Sequence, residues 1–366
     1  VTTTESGLYS TLEAPPDWPR DPLHYFDEFP LRAKYFPFGV PMELSTNSPE
    51  VIAAAQQSWG AVPQLLDLRP IHVRIGVSDS NRVDLPQAPA ILGQRGLITV
   101  ISDAENFGVC DVTSGFSFGW MTPATVADPA FFRYHFLELM TGILLGPTHF
   151  GVVHSACVAR NGHGVLLCGH SRAGKSTLAY ACAQRGWTFI ADDAVQTLRK
   201  NPSRMVIGYP LSLRLRADAT NLFPHLEDRA VVLRQNGEFG FEIPTSELPG
   251  LTTAFTCEID HVVLLNRAGD GPARISPFPK DRARKWMDDV LDLTFACDPD
   301  RPGNRGEMLL ADTKARDEQK ASLEPLLAGG IHELCYSDLD TAVDCLESLI
   351  RNESETITRA NSAGRA

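Results

Sequence analysis

The run Gly169-His170-Ser171-Arg172-Ala173-Gly174-Lys175-Ser176-Thr177 constrains this chain more than any other. It matches G-x-x-x-x-G-K-[ST], the P-loop or Walker A pattern, without a gap. A chain of phosphates needs several backbone N–H donors converging on one concave place. Glycines at both ends let the main chain bend there without a Cβ clash. The helix that follows adds its unpaired N-terminal N–H groups and the positive end of its dipole. Lys175 is then in place to reach the β- and γ-phosphates, and the Ser176 hydroxyl to ligate Mg²⁺. Such a pattern also arises by chance, so context decides. Here the loop follows the apolar run Val165–Cys168 and opens a helix expected over Lys175–Arg185, stopped by Gly186. That context predicts nucleotide binding by Gly169 through Thr177.

After the helix come the strand Thr188–Ala191 and then Asp192-Asp193. Strand, loop, helix, strand is a βαβ unit if the two strands run parallel. Both carboxyl ends then lie at one sheet edge, where ligands collect in open α/β sheets. The aspartate pair is expected beside the phosphate loop. One carboxylate can hold Mg²⁺, a hard cation that takes oxygen ligands. The other can accept a proton from an attacking hydroxyl. The sequence does not say which does which. Arg214 and Arg216 alternate on an expected strand, Ser212–Leu215, and share one face. They are phosphate-clamp candidates, and a solvated basic face fits them equally.

Around this centre the pattern divides. Residues 1–30 read as an irregular Pro-rich arm. Residues 31–146 read as a β-rich α+β region for substrate or partner, with strands at Ile71–Val77, Leu97–Ile101, Phe107–Val112 and Phe116–Met121. A helix is expected over Ser48–Ser58, capped by Ser48 with Pro49 at its first position. Another should run from Asp128-Pro129 to Leu145, ended by Gly146-Pro147. Residues 147–351 form the nucleotide domain. In it, strands His149–Arg160 and Gly164–Cys168 join through an Asn161-Gly162 hairpin turn. Further strands are expected near Val231, Phe239, His261 and Ile331, with helices over Lys280–Leu293 and Asp338–Ile350. Residues 352–366 read as a disordered tail.

The net charge of −12 argues against general nucleic-acid or anionic-membrane binding, while leaving room for a local phosphate pocket. None of the eight cysteines forms a CxxC pair, which predicts reduced thiols rather than a disulfide framework or zinc site. No apolar run approaches the roughly 20 residues that span a bilayer. With no signal-peptide pattern, the expected setting is the cytoplasm.

The stretch from Val153-His154-Ser155 through Gly169–Ser176 to Arg185-Gly-Trp-Thr-Phe-Ile-Ala-Asp-Asp193 resembles the HPr kinase/phosphorylase catalytic domain. Shared are an upstream histidine, a short hairpin, the loop, a helix ending in Arg-Gly, and a strand ending in Asp-Asp. The resemblance implies a mixed α/β sheet of the HPr kinase and phosphoenolpyruvate carboxykinase-like type. It implies an ATP- and Mg²⁺-dependent kinase acting on a serine-type hydroxyl, with His154 beside Asp192 and Asp193. On spacing alone, His154 would read as a structural residue. The family loop usually has Gly where Arg172 stands. No counterpart of the Glu-x-Arg-Gly-Leu-Gly-type run used with the HPr substrate is found downstream. The expected partners are therefore a nucleotide and a hydroxyl-bearing peptide, protein or small molecule, in a protein that could be a homo-oligomer. The alternative is an inactive nucleotide-binding regulator or partner-binding protein of a peptide-modification system.

Overall fold

The computed structural model describes residues 28–94, 96–234, 237–267, 271–295 and 313–363. Most of the expected Pro-rich arm and Cys297 lie outside them. The fold is mixed α/β, and its described strands form three sheets.

The first sheet holds β1 (Leu31–Tyr35), β2 (Met42–Thr46), β3 (Ile71–Val77), β4 (Ala90–Gln94), β5 (Leu97–Ile101), β6 (Phe107–Asp111) and β7 (Phe116–Met121). Their spatial order is β1-β2-β3-β7-β6-β5-β4. Alternation decides which face is buried: Ile71, Val73 and Ile75 point inward from β3 and Ile98 and Val100 from β5, all within one apolar core. Helix α1 (Pro49–Trp59) contributes Val51, Ala54, Ala55 and Trp59 to that core. Ser48 stands at its N-cap, yet its hydroxyl donates to Glu50 Oε2 at 2.6 Å and caps no backbone N–H.

The helix expected from Pro129 to Leu145 departs from that plan. It follows a short helix, α2 (Pro123–Ala127). It then runs as α3 (Pro129–Phe132), a π-turn over Arg133–Leu137, and α4 (Glu138–His149). Asp128 caps it as expected, its Oδ1 accepting from Phe131 N–H at 2.9 Å. Gly146-Pro147 does not end it. Pro147 lacks only its own N–H, while Thr148 Oγ1 donates to Leu144 O at 2.9 Å and Phe150 N–H bonds Gly146 O. Burial of Ile143, Leu144 and Leu145 holds the last turn in place.

The second sheet runs β17-β11-β9-β10-β18-β13-β12-β8, with β20 on β18 and β19 on β20. Its members are β8 (Phe150–Val153), β9 (Ala156–Arg160), β10 (His163–Cys168), β11 (Thr188–Ala191), β12 (Val195–Leu198), β13 (Met205–Ile207), β17 (Thr252–Thr253), β18 (Thr256–Asn266), β19 (Arg274–Pro277) and β20 (Gly330–Cys335). Asn161 (φ 54°) and Gly162 (φ 85°) make the β9–β10 turn with two left-handed residues, as a tight hairpin demands. The single strand expected over His149–Arg160 is two strands: β8 pairs with β12 and β9 with β10 and β11. His154 and Ser155 form the break where the chain crosses between them.

Helix α5 (Lys175–Gln184) packs on this sheet, followed by Gly186 at φ 83°. Strands β10 and β11 are both antiparallel to β9 and so parallel to each other, with β9 between them. The βαβ expectation holds in direction, although the two strands are not neighbours. A three-stranded sheet of β14 (Ser212–Arg216), β16 (Phe239–Pro244) and β15 (Val232–Leu233) lies beside the loop. Helices α6 (Lys280–Phe295), α7 (Thr313–Leu323) and α8 (Leu339–Ala363) complete the chain. Helix α8 runs through the stretch expected to be disordered from residue 352. That stretch is polar but carries no Pro, and no Gly before Gly364, so nothing in it breaks a helix already seated by Val343, Leu346 and Ile350.

Candidate active site

The carboxyl ends of β10 and β11 open onto a cleft of about 770 Å³. The phosphate loop forms its floor. Gly174 sits at φ 89°, and a Cβ there would lie 2.3 Å from the Tyr336 hydroxyl oxygen. Only glycine fits, because Tyr336 donates to Ala173 O at 2.8 Å and pins the loop from β20's side. Arg172 adopts φ 69°, a left-handed conformation in which a side chain is unfavourable. The family's usual glycine at this position meets the same backbone requirement.

Lys175 is buried, and its ammonium donates to Gly169 O at 2.8 Å and His170 O at 3.3 Å. Burial lowers its pKa. Ser176 Oγ donates to the Asp192 carbonyl at 3.1 Å, tying the first turn of α5 to the end of β11. Ser171, Arg172, Gly174, Lys175, Ser176 and Thr177 line the cleft. His170 instead packs edge-on against Trp286, with ring centroids 6.1 Å apart.

The aspartates occupy different environments. Asp192 is 5% exposed, and its Oδ2 accepts the Arg214 backbone N–H at 2.5 Å. Burial pushes its pKa up to about 7, against the pull of Arg214. Asp193 is 56% exposed, and its Oδ1 lies 3.2 Å from His154 Nδ1. The hydrogen bond from His154 holds the Asp193 carboxyl below the usual carboxylate range. The expected His154–aspartate neighbourhood is therefore present, built on the β8–β9 break.

Arg214 and Arg216 both face the cleft, as their spacing predicts, and each has an acidic partner. Arg214 Nε and Nη2 lie 3.2 Å from Glu242, and Arg216 Nη1 lies 3.8 Å from Glu238. Sequence spacing missed these carboxylates because they come from β16 and the residue before it. It also missed Arg133 and Glu138, which line the opposite wall from the π-turn. No local periodicity announces a π-turn.

The chemistry of the donor set suits a phosphate-bound divalent cation. One hydroxyl and two carboxylates are what Mg²⁺ uses when phosphate and water complete its shell. Among the described residues no group of three or more His, Cys, Asp or Glu could hold a metal. The described cysteines are free thiols, with Cys110, Cys157, Cys168 and Cys182 buried. No described helix is long and apolar enough to cross a membrane.

Residues 148–214 match the HPr Serine kinase C-terminal domain family. That segment holds the loop, the aspartate pair, His154 and Arg214. No curated protein matches the chain. Among solved structures, the Hpr(Ser) kinase/phosphatase from Coxiella burnetii is similar at 15% identity and a TM-score of 0.28, over 58% of this chain and 96% of that one. At that level no residue correspondence follows, and the roles below rest on this chain's own geometry.

Proposed function

Starting from a chain that is HPr kinase-like over residues 148–214, we propose an ATP-dependent phosphotransferase acting on a hydroxyl. The observation that carries this is the convergence of Lys175, Ser176, Asp192 and the His154–Asp193 pair on one cleft. Loop amides and Lys175 bind the phosphates of the nucleotide, as in phosphoryl transfer generally, where positioning and charge neutralisation supply most of the catalysis.

Ser176 and Asp192 are the residues that would hold Mg²⁺. A bound Mg²⁺ would neutralise phosphate charge and supply the field that ionises a buried carboxyl. Asp193 faces the open cleft and stays ionised, so an acceptor hydroxyl can reach it. Asp193 takes the hydroxyl proton as the acceptor oxygen bonds the γ-phosphorus and the bond to the β–γ bridging oxygen breaks, releasing the nucleoside diphosphate. His154 orients the Asp193 carboxylate through Nδ1. Arg214, fixed by Glu242, stands beside the charge that develops on the transferred group.

The test is incubation with Mg²⁺ and γ-labelled ATP in the presence of peptides, a lysate and small hydroxyl compounds, followed by mass spectrometry. A labelled phosphate ester is expected, lost on Asp193→Asn. Absence of MgATP binding, or binding without transfer to any acceptor, overturns the proposal. The second outcome would favour an inactive nucleotide-binding regulator.

A further inference from the structure

We infer that Arg133 and Glu138 form a reader for the acceptor's peptide amide, so the acceptor hydroxyl belongs to a peptide. This rests on the phosphotransferase proposal above and deepens it. Both residues lie outside the segment that matches a known family.

A π-turn sets the geometry. In an α-helix, residues five apart point in different directions; a π-turn closes i→i+5 bonds and brings them onto one face. Here the Glu138 N–H bonds the Arg133 carbonyl, and both side chains turn into the cleft. Such turns cost helix regularity and recur at functional sites.

The pair is held from behind. Arg133 Nε donates to Ser58 Oγ at 2.8 Å and to Glu138 Oε1 at 3.0 Å, and Arg133 Nη2 lies 2.8 Å from the same oxygen. Ser58 Oγ donates to Glu138 Oε1 at 2.7 Å. Ser58 is buried at the end of α1, and Tyr209 donates to its carbonyl at 2.6 Å. The inner edge of the pair is therefore fully engaged. The outer edge is open: among the described residues, Arg133 Nη1 and Glu138 Oε2 make no hydrogen bond. The side chains are 28% and 34% exposed.

A fixed donor beside a fixed acceptor complements an amide, which offers C=O to one and N–H to the other. A free carboxylate or phosphate would meet the repulsion of Glu138, and a bare alcohol would leave one of the two groups unpaired. Preorganisation by Ser58 means little side-chain freedom is lost on binding. The cleft places this reader on the same cavity as Asp193.

The experiment compares short Ser-centred peptides with free serine and glycerol as acceptors, for wild type, Glu138→Gln and Arg133→Lys. Glu138→Gln keeps the oxygen that holds Arg133 and puts an amide donor where the open acceptor was. The expected result is peptide phosphorylation favoured over small hydroxyls, with KM for peptide raised about tenfold in each variant and kcat changed less. MgATP affinity and the melting temperature report whether the variants still fold and bind nucleotide. Wild-type transfer to small hydroxyls as good as to peptides, or an unchanged peptide KM in folded variants, overturns this inference and leaves the phosphotransferase proposal standing. No MgATP binding, or no transfer to any acceptor, overturns both.

Discussion

His154 Nδ1 lies 3.2 Å from Asp193 Oδ1 across the break that separates β8 from β9. The pair is not a ladder contact. It exists because the chain leaves one region of the sheet and enters another at His154. The hydrogen bond is the largest influence holding the Asp193 pKa down. Removing it with His154→Ala should therefore raise that pKa. A base active when ionised then loses activity at higher pH than before, so the acid limb of the transfer profile moves upward. The measurement is kcat/KM against pH for both proteins. Superimposable acid limbs would show that His154 does not tune Asp193.

Asp192 makes an opposite prediction. Burial raises its pKa to about 7 from an ordinary 3.8. Below the unfolded value both states carry the proton and nothing is lost. As pH rises toward 7 the unfolded chain releases its proton first, so folded stability declines across that window. Asp192→Asn keeps the acceptor for the Arg214 N–H and cannot ionise. In the metal-free protein the variant should melt higher than wild type at pH 8, and the gap should shrink toward pH 5. It should also lose the stabilisation by Mg²⁺ that wild type shows with ATP. Equal melting temperatures at pH 8 would contradict the buried-carboxylate account.

Lys175 sits in contact with Gly169 O and His170 O before any nucleotide arrives. Truncation to Ala removes both the phosphate contact and a brace on the loop. MgATP affinity is expected to fall about 10- to 100-fold, the range for losing a charged hydrogen-bond partner. Circular dichroism should be unchanged, since the rest of α5 is anchored by Leu178 and Cys182. Calorimetric titration checks it, and wild-type affinity would remove Lys175 from the phosphate site.

Arg172 holds a left-handed conformation at φ 69°. An L side chain there costs roughly 1 kcal/mol or more that glycine avoids, although glycine also loosens the unfolded chain. Arg172→Gly should leave stability unchanged or raise it by up to about 1 kcal/mol. Urea unfolding measures this. A clear loss of stability would mean that the arginine side chain contributes more than its backbone conformation costs.

The local code of this chain was legible. Gly174, Lys175 and the apolar run Val165–Cys168 announced the strand, loop and helix, because each depends on residues close in sequence. Asn161-Gly162 announced the hairpin for the same reason, and Asp192-Asp193 followed from the direction of β11. Long-range pairing was not legible. Nothing near His154 shows that β8 pairs with β12 while β9 inserts between β10 and β11. Val195–Leu198 and Met205–Ile207 are too short to stand out as strands without partners. Glu242 finds Arg214 only through the β14–β16 register. The Arg133–Glu138 pair needs a π-turn that burial of Phe132, Phe136 and Leu137 imposes against ordinary helical periodicity. The sequence by itself determined the phosphate loop, since backbone conformation and helix start are set within a few residues. The tertiary structure decided what surrounds the loop, because those side chains meet only when non-local strand pairing and core packing bring distant segments to one cleft.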